Sequence, residues 1–238
     1  MKKAIVVGAS SGIGRELAKT LAENGYVVGA MARRLHLLES LCNEIKGEIF
    51  VQEIDASDTA ASMGILTRFI KKMNGVDLIV ISAGTGDIND KLDWHIEHET
   101  IKTNVTGFAA LSNVAMHHFI ERGSGHLVGI SSIAALRGGR ESPAYNASKA
   151  FESNYLEGLR QKVTQLGLPI IVTDIKAGFV KTAMAKGEGL FWVAPAGKAA
   201  AQIFNAIQLK KTHAYITRRW RLIAILLKVI PASIYERL

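Results

Sequence analysis

The sequence is poor in several features, and each scarcity excludes a class of protein. Among its 238 residues there is one cysteine, Cys42, so a disulfide within the chain is impossible and a reducing, cytoplasmic location fits. No apolar run approaches the about 20 residues of a membrane-spanning helix. The short apolar stretch after Lys2 and Lys3 does not predict a signal peptide. With 48% hydrophobic residues and no repeat, low-complexity tract or linker, the chain can bury the core of one domain.

Strand and helix patterns alternate along the chain. Apolar runs without polar alternation indicate strands that are buried on both faces of a parallel sheet. Residues 3–7 form such a run, further strands are predicted at residues 26–31, 48–54, 76–82, 126–131, 169–175 and 213–217, and helical patterns occupy most of the sequence between them. This order predicts an α/β fold, a single doubly wound, Rossmann-like domain over residues 1–217. Residues 218–238 form a basic C-terminal segment with a predicted amphipathic helix.

A glycine-rich turn separates the first strand from the first helix. Gly8 permits a tight turn, Gly12 lets backbone amides approach a pyrophosphate, and Gly14 allows the helix to pack close to the sheet. Free N–H groups at the start of the helix favour an anion there. The spacing G-x-x-x-G-x-G differs from the commoner G-x-G-x-x-G, and a tight turn without a ligand remains the alternative.

Tyr145 and Lys149 lie four residues apart in a predicted helix and therefore on the same face. An ammonium beside a phenol lowers the pKa of the tyrosine toward working pH, so that the phenol can exchange a proton with a carbonyl or alcohol oxygen. Ser132 ends a predicted strand and is placed to face the same oxygen. The alternative is an ordinary surface tyrosine and lysine.

Taken together and in order, these motifs resemble the short-chain dehydrogenase/reductase family over about residues 3–217. The resemblance also includes Asp55, Ser82-Ala83-Gly84, Asn104 and the stretch Ala177–Thr182. It implies four catalytic residues, Ser132, Tyr145, Lys149 and Asn104. In that family the serine holds the substrate carbonyl, the tyrosine is the general acid/base, the lysine binds the nicotinamide ribose, and the asparagine kinks the long helix and anchors a water. Ser132 rather than Ser131 is assigned by its spacing from Tyr145.

The resemblance implies a set of cofactor-binding positions that follow the carboxyl ends of the strands. They are Gly8, Ser10, Ser11, Gly12, Ile13, Gly14, Arg33, Arg34, Asp55, Ala56, Ser82, Ala83, Gly84, Tyr145, Lys149, Gly178, Val180 and Thr182. Three neighbouring positions depart from the family pattern: Val7 replaces a threonine, Ser82 an asparagine and Ala177 a proline. These departures affect support around the cofactor and leave the proton-transfer groups intact.

The charge after the second strand selects the cofactor. An NAD-specific enzyme places a carboxylate there for the ribose hydroxyls, whereas this chain has Ala32 followed by Arg33 and Arg34. Arginines suit the 2′-phosphate of NADP(H). Asp55 and Ala56 resemble the pair that contacts the adenine, although Asp55 is also a candidate N-cap of the following helix. No metal site is predicted, because His95, His98, His117 and His118 lack matching ligands.

The C-terminal segment carries most of the positive charge. Residues 209–238 contain seven basic residues and one acidic residue, a net charge of +6 out of the +8 of the chain. Residues 218–230 combine basic residues with an aliphatic run, with Trp220 predicted near the edge of the apolar face. This composition favours a helix lying on an anionic membrane surface, while a subunit contact or a cover over the substrate pocket remains open. Nucleic-acid binding is not expected, because stacking aromatics do not alternate with the basic residues.

The predicted function is an NADPH-dependent reductase, or reversible alcohol dehydrogenase, that forms a homodimer or homotetramer. The segment 183–194 is the expected substrate lid, and its Met184, Leu190, Phe191 and Trp192 favour an apolar or lipid-like carbonyl. Arg137, Arg140 and Glu141 either bind an anionic group or are loop charges. The alternative function is an NADP(H)-binding adaptor with an idle catalytic set.

Overall fold

A computed structural model describes residues 1–184 and 191–237. Within these residues, seven parallel strands form one sheet in the order β3-β2-β1-β4-β5-β6-β7. The strands are β1 (Lys3–Val7), β2 (Val27–Ala32), β3 (Ile49–Glu53), β4 (Leu78–Ile81), β5 (Gly125–Ser132), β6 (Ile170–Ala177) and β7 (His213–Ile216). The predicted single α/β domain with a doubly wound parallel sheet is confirmed.

Helices follow most of the strands. They are α1 (Gly12–Glu23), α2 (Leu35–Glu44), α3 (Thr59–Lys72), α4 (Trp94–Ile101), α5 (Phe108–Arg122), α6 (Pro143–Leu166), α7 (Ala196–Gln208), α8 (Trp220–Val229) and α9 (Ala232–Tyr235). A π-helical stretch, Lys102–Gly107, joins α4 to α5, and a short 3₁₀ turn, Ile133–Leu136, follows β5. The sequence patterns indicated the long helices but not α9 or these two irregular pieces.

The sheet lies between two helical layers, which explains why its inner strands β2, β4 and, after Lys3, β1 are apolar throughout. In β1, Ala4 and Val6 pack in one core with α1, α2 and α7, whereas Ile5 and Val7 pack in the other with α3, α5 and α6. Because successive side chains of a strand point to opposite faces, a strand covered on both sides buries the side chains of both faces.

The strand order reverses between β1 and β4, which lie side by side with Val7 opposite Ile81. The connections from these two strands lead to helices on opposite faces of the sheet, and a crevice is expected at this edge. Every predicted site residue lies in a loop or helix that follows a carboxyl end of β1–β6, or at the end of the strand itself, so the topology directs them to one edge of the sheet.

Helix α8 packs on the domain through one of its faces. Trp220 and Ala224 form a small core with Ile133, and Trp220 is only 2% exposed. The sequence pattern placed Trp220 near the edge of the apolar face of the helix, whereas the structure buries it. The indole occupies a slot that exists because Gly178 has no Cβ, which would collide with the ring. Among the described helices, none has the length and apolar character needed to cross a bilayer.

Candidate active site

The glycine turn after β1 is built for close backbone approach. Gly8 has φ +95°, and a Cβ there would lie 2.5 Å from the backbone nitrogen of Ala83. A Cβ at Gly14 would collide with the carbonyl oxygen of Gly8. Both neighbours are backbone atoms that cannot move aside, so only glycine fits these positions. The loops after β1 and β4 consequently touch, and the start of α1 lies directly over the turn.

The N-terminus of α1 is left free for an anion. Its N-cap, Ser11, makes no side-chain capping bond, and the first turn carries no acidic residue. Arg34 donates hydrogen bonds to the hydroxyl oxygens of Ser10 and Ser11, at 2.9 and 2.7 Å. Unpaired N–H groups, the positive end of the helix dipole and a guanidinium therefore meet at one place. Thr182 lies beside it, against Gly12.

Charged residues follow both β2 and β3 and line the same cavity. Arg33 is exposed and Asp55 is half-buried, and the positive charge of Arg33 acts on the Asp55 carboxylate. Burial alone would raise the pKa of Asp55, but hydrogen bonds from Ser57 and the charges of Arg33 and Lys102 hold it below its usual value. The alternative role of Asp55 as helix cap is wrong, because Asp58 caps α3 through the amide of Ala61.

Asn104 connects the long helical region to the loop after β4. It is fully buried, and its amide accepts a hydrogen bond from the nitrogen of Thr85 and donates to the oxygen of Thr85 and to Ser148, at 2.7–3.0 Å. Asn104 sits in the π-helical stretch, a common cause of a local change in helix direction. Its side chain thereby fixes the Ser82–Gly84 loop against α6.

The two serines at the end of β5 have different partners. Ser131 donates its hydroxyl hydrogen bond to the buried carboxylate of Asp174. The hydroxyl of Ser132 accepts from the amide of Ala134 and donates to the carbonyl oxygen of Ala177, at 3.1 and 3.3 Å. The longer and weaker bonds of Ser132, on the side of the crevice, leave its hydroxyl the more available of the two.

Tyr145 and Lys149 share one face of α6, as their spacing predicts. The Lys149 ammonium lies 5.8 Å from the centre of the Tyr145 ring and donates to the carbonyl oxygen of Ile130 at 3.2 Å. Asn146 binds the carbonyl oxygens of Ala134 and Arg137, which holds the loop after Ser132 against the helix. Tyr145, Lys149 and Ser132 line the same cavity.

Glu152 was missed by sequence analysis. It follows Lys149 by one helical turn, is fully buried, and accepts hydrogen bonds from the Lys149 ammonium on both carboxylate oxygens, at 2.8 and 3.0 Å. Burial raises the pKa of Glu152 to about 7, although Lys149 opposes this rise. Burial alone would lower the pKa of Lys149, but the charges of Glu152 and Tyr145 more than offset this effect. The pKa of Lys149 is therefore raised above its usual value. The i, i+3 spacing of the pair was the available signal.

The loop after β6 reaches the C-terminal helix. Val180 pairs with Ala194, and this contact brackets the expected lid. Phe191 and Trp192 pack against Trp220 with ring centres 5.1 and 6.0 Å apart. Leu190 and the rest of residues 185–190 lie outside the described residues. Of the predicted lid, only its two flanks are therefore placed.

One large cavity of about 1250 Å³ joins these features. Its lining includes predicted cofactor positions after β1, β2, β3, β4 and β6, the Ser132, Tyr145 and Lys149 group, and the C-terminal residues Leu227, Tyr235 and Glu236. Gly14 and Asn104 support the lining from beneath. The cavity combines small residues in its lining loops with a free helix N-terminus and exposed arginines. This combination fits a phosphorylated dinucleotide. The described residues contain no cluster of three or more possible metal ligands.

The C-terminal residues of this lining were also missed by sequence analysis. The Tyr235 hydroxyl donates to the carbonyl oxygen of Gly138 at 2.5 Å, and the Arg137 guanidinium lies 4.4 Å from the Tyr235 ring centre. Arg137 also donates to the carbonyl oxygen of Ile230. Arg137 therefore holds the C-terminal segment over the cavity, which favours the pocket-covering alternative for part of that segment.

Comparison with known proteins agrees with this geometry. The family model for short chain dehydrogenase matches residues 2–190. An oxidoreductase from Myxococcus xanthus is 40% identical over 186 residues, 76% of this chain and 73% of that protein. Dehydrogenase/reductase SDR family member 7B of Danio rerio is 31% identical over 195 residues, 77% of this chain and 62% of that protein.

Solved structures show the same fold at lower identity. A short-chain dehydrogenase from Streptomyces avermitilis has a TM-score of 0.83 at 23% identity, covering 95% of this chain and 91% of that one. A short-chain dehydrogenase from Sphingobium yanoikuyae in complex with NADPH has a TM-score of 0.82 at 18% identity, covering 98% of both chains. The fold, the family match and the identity to named oxidoreductases lead to one conclusion: the chain belongs to the short-chain dehydrogenase/reductase family of oxidoreductases.

Proposed function

We propose that the protein is an NADP(H)-dependent reductase that converts the carbonyl of an apolar or lipid-like substrate to an alcohol, and reversibly oxidises that alcohol. The observation that carries the proposal is the meeting of Ser132, Tyr145 and Lys149 with the glycine turn and the exposed Arg33 in one cavity. A proton donor and a dinucleotide cradle sharing one space is the arrangement that carbonyl reduction requires.

The cofactor is proposed to lie along the crevice, from the Arg33 and Asp55 end to the Tyr145 end. When bound, NADPH supplies the hydride. Gly8, Ser11 and Gly12 would hold its pyrophosphate by backbone contacts and Arg33 its 2′-phosphate, with Arg34 steadying the serines of the turn. The NADPH bound to the relative from Sphingobium yanoikuyae supports this choice.

The proton chemistry belongs to the side chains of α6 and β5. Ser132 would donate a hydrogen bond to the substrate carbonyl oxygen, and Tyr145 would deliver the proton to that oxygen as it gains negative charge. Lys149 stays protonated because its pKa is raised, with burial opposing and Glu152 favouring the charged form. Its ammonium stabilises the phenolate that remains after transfer.

An apolar substrate is favoured by the far wall of the cavity. Ile133, Phe179, Met184 and Leu227 face this space. Arg137, one candidate anion ligand, is already engaged with Tyr235 and Ile230. Buried apolar surface would therefore supply most of the binding free energy for the substrate.

A carbonyl panel tests the function. Oxidation of NADPH, followed by absorbance, should be faster with medium-chain aliphatic aldehydes and ketones than with sugars, and NADPH should outperform NADH. If the protein binds NADPH yet reduces no member of the panel while a known reductase does, the adaptor with an idle catalytic set becomes the better description.

We further propose that α8 attaches the cytoplasmic enzyme reversibly to an anionic membrane surface. Besides its buried face, α8 exposes an apolar stripe at i, i+3, i+4 and i+7, formed by Leu222, Ile225, Leu226 and Val229. Leu222 is 66% and Val229 68% exposed. The stripe is flanked by four exposed cations, Arg218, Arg219, Arg221 and Lys228. Apolar burial and attraction to anionic lipids would act together on such a helix.

Vesicle cosedimentation tests the attachment. The full chain should bind vesicles with phosphatidylglycerol and not pure phosphatidylcholine, and Leu226→Asp should weaken binding by about tenfold or more. Leu166→Asp, an exposed apolar position at the end of α6, is the matched control. If Leu226→Asp instead lowers the mass seen by light scattering while the intact protein ignores vesicles, the stripe is a subunit contact.

The proposed homodimer or homotetramer has its own support. Apolar side chains around α4 and α5 remain exposed, including Leu92, Trp94 and Ile101, with Trp94 at 69%. Clustered apolar exposure of this kind is typical of a surface that is covered by another chain. Light scattering of the purified protein, with Trp94→Ser as the variant, measures whether this region holds subunits together.

A further inference from the structure

Glu152 is a buried charged residue that does not line the cavity. It is fully buried in the middle of α6, where a carboxylate is costly unless it is paired. Its carboxylate takes both of its hydrogen bonds from the Lys149 ammonium. The cost of burying this carboxylate is therefore offset by contact with the lysine of the proposed active site.

The charged groups around the pair separate into two sets. Glu152 faces Lys149 on its own helix, and Lys149 faces Tyr145 on the cavity side. From β6, Asp174 is the second charge that acts on Glu152, and it is itself paired with Lys176 and bound by the hydroxyls of Ser131 and Ser153. Because Asp174 is compensated locally, Lys149 is left to Glu152 as its close anionic partner.

We infer that Glu152 is a positioning residue for proton transfer, which holds the Lys149 ammonium in place and sets the pH range over which the Tyr145–Lys149 pair keeps its protons. The inference rests on the proposed roles of Tyr145 and Lys149. An anion beside such a pair makes the loss of a proton from either member harder. When Glu152 is ionised, the Tyr145–Lys149 pair keeps both of its protons to a higher pH. When Glu152 is neutral, the pair loses its first proton at a lower pH.

The burial of Glu152 makes this control adjustable near neutrality. Burial raises the pKa of the carboxyl to about 7, with Lys149 opposing, so its charge changes within the physiological range. Below this pH the Lys149 charge is uncompensated, and above it the ion pair is neutral overall. The same residue thus supports the lysine and adjusts the field that the lysine exerts on the cavity.

The test compares Glu152→Gln with Glu157→Gln, an exposed position on the same helix that loses the same charge. Reduction of decanal by NADPH is measured from pH 6 to pH 10. In Glu152→Gln, the basic limb of the kcat profile should move to lower pH by about one to two units, the size of a charge-assisted hydrogen bond. Glu157→Gln should keep the original profile, and Glu152→Asp should restore much of it.

An infrared titration of the full chain with NADP⁺ gives a readout that does not need turnover. A protonated-carboxyl band should grow as the pH falls through about 7, move in Glu152→Asp and vanish in Glu152→Gln. If kcat of a folded Glu152→Gln protein falls equally at every pH, Glu152 is only structural and the inference fails. If Glu152→Gln does not fold, the infrared titration of Glu152→Asp decides. A protonated-carboxyl band that is the same in Glu152→Asp as in the wild type overturns the inference. A normal infrared titration without any carbonyl reduction would instead count against the proposed function.

Discussion

The strands on the two sides of the β1–β4 junction differ in the charge that they bury. On the β1–β3 side, the described ionisable groups of the cleft, including Arg33, Arg34 and Asp55, reach the surface. On the β4–β7 side, the described residues bury four ionisable groups, His126, Lys149, Glu152 and Asp174. The first side presents backbone groups and surface charge at the cleft, whereas the second places ionisable groups in a low-dielectric interior.

This difference separates binding from chemistry. A phosphate contact needs exposed donors that exchange water for ligand at little cost, as at the start of α1. A proton donor needs a fixed field that water does not screen, as around Lys149. Substitutions on the first side should therefore change affinity, and those on the second side should change rates and pH dependence.

The largest expected effect is on the catalytic side. Tyr145→Phe should lower kcat by about 10²- to 10⁴-fold, because it removes the proposed general acid, while the dissociation constant for NADPH stays near that of the wild type. Steady-state rates and fluorescence titration with NADPH measure the two quantities. Full turnover by the Phe variant on a confirmed substrate would show that Tyr145 is not the general acid. It would also contradict the proposed separation of binding and chemistry between the two sides of the sheet.

The second effect concerns stability in acid. Burial, with a contribution from Lys210, lowers the pKa of His126 to about 4. A depressed pKa gives stability that is present above the unfolded value near 6.5 and is lost as the pH falls toward 4. The loss amounts to about 3 kcal/mol. Urea unfolding at pH 7 and pH 4 should show a smaller acid loss in His126→Gln than in the wild type.

His117→Gln is the matched control, because His117 lies exposed on α5. It should keep the acid loss of the wild type. The buried ring nitrogen of His126 contacts the hydroxyl of Thr173 at 2.8 Å, which glutamine can replace in part. Equal acid losses in all three proteins would show that the buried groups of this side do not govern stability in acid.

The smallest of the three effects tests the surface side. Arg33→Ala should weaken NADPH by about 10- to 100-fold and NADH much less, because NADH lacks the 2′-phosphate that a charge-assisted contact would hold. Lys46→Ala, an exposed cation between α2 and β3, should change neither. Calorimetric titration with both cofactors measures the ratio. Equal losses for NADPH and NADH would place Arg33 outside the phosphate contact.

The fold and the glycine turn could be predicted because their causes are local. A strand that is covered on both faces is rich in apolar residues, as β1 is, and the collision of a Cβ at Gly14 with Gly8 is fixed by a turn of a few residues. The positions of Tyr145 and Lys149 on one face of α6 could be predicted for the same reason, because their spacing of four residues determines it.

Other features depend on contacts between distant segments. Nothing near Glu152 in the sequence shows that its helical face is buried, since hydropathy places a glutamate on the surface. Trp220 was expected near the edge of the apolar face of its helix, and its burial could not be predicted because the slot that receives it is made by Gly178, far earlier in the chain. Asp55 and Asp58 compete for one capping position, and loop geometry rather than residue type decides between them.

The slot at Gly178 also gives the protein an optical property. The chain has three tryptophans. Trp94 is 69% exposed, while Trp192 and Trp220, 37% and 2% exposed, lie 6.0 Å apart beside the cavity. Indole emission shifts to shorter wavelength when the ring leaves water, so replacing Trp94 with phenylalanine would leave a blue-shifted signal from the other two. The enzyme thus contains an intrinsic fluorophore pair at the junction of its lid flank and C-terminal helix.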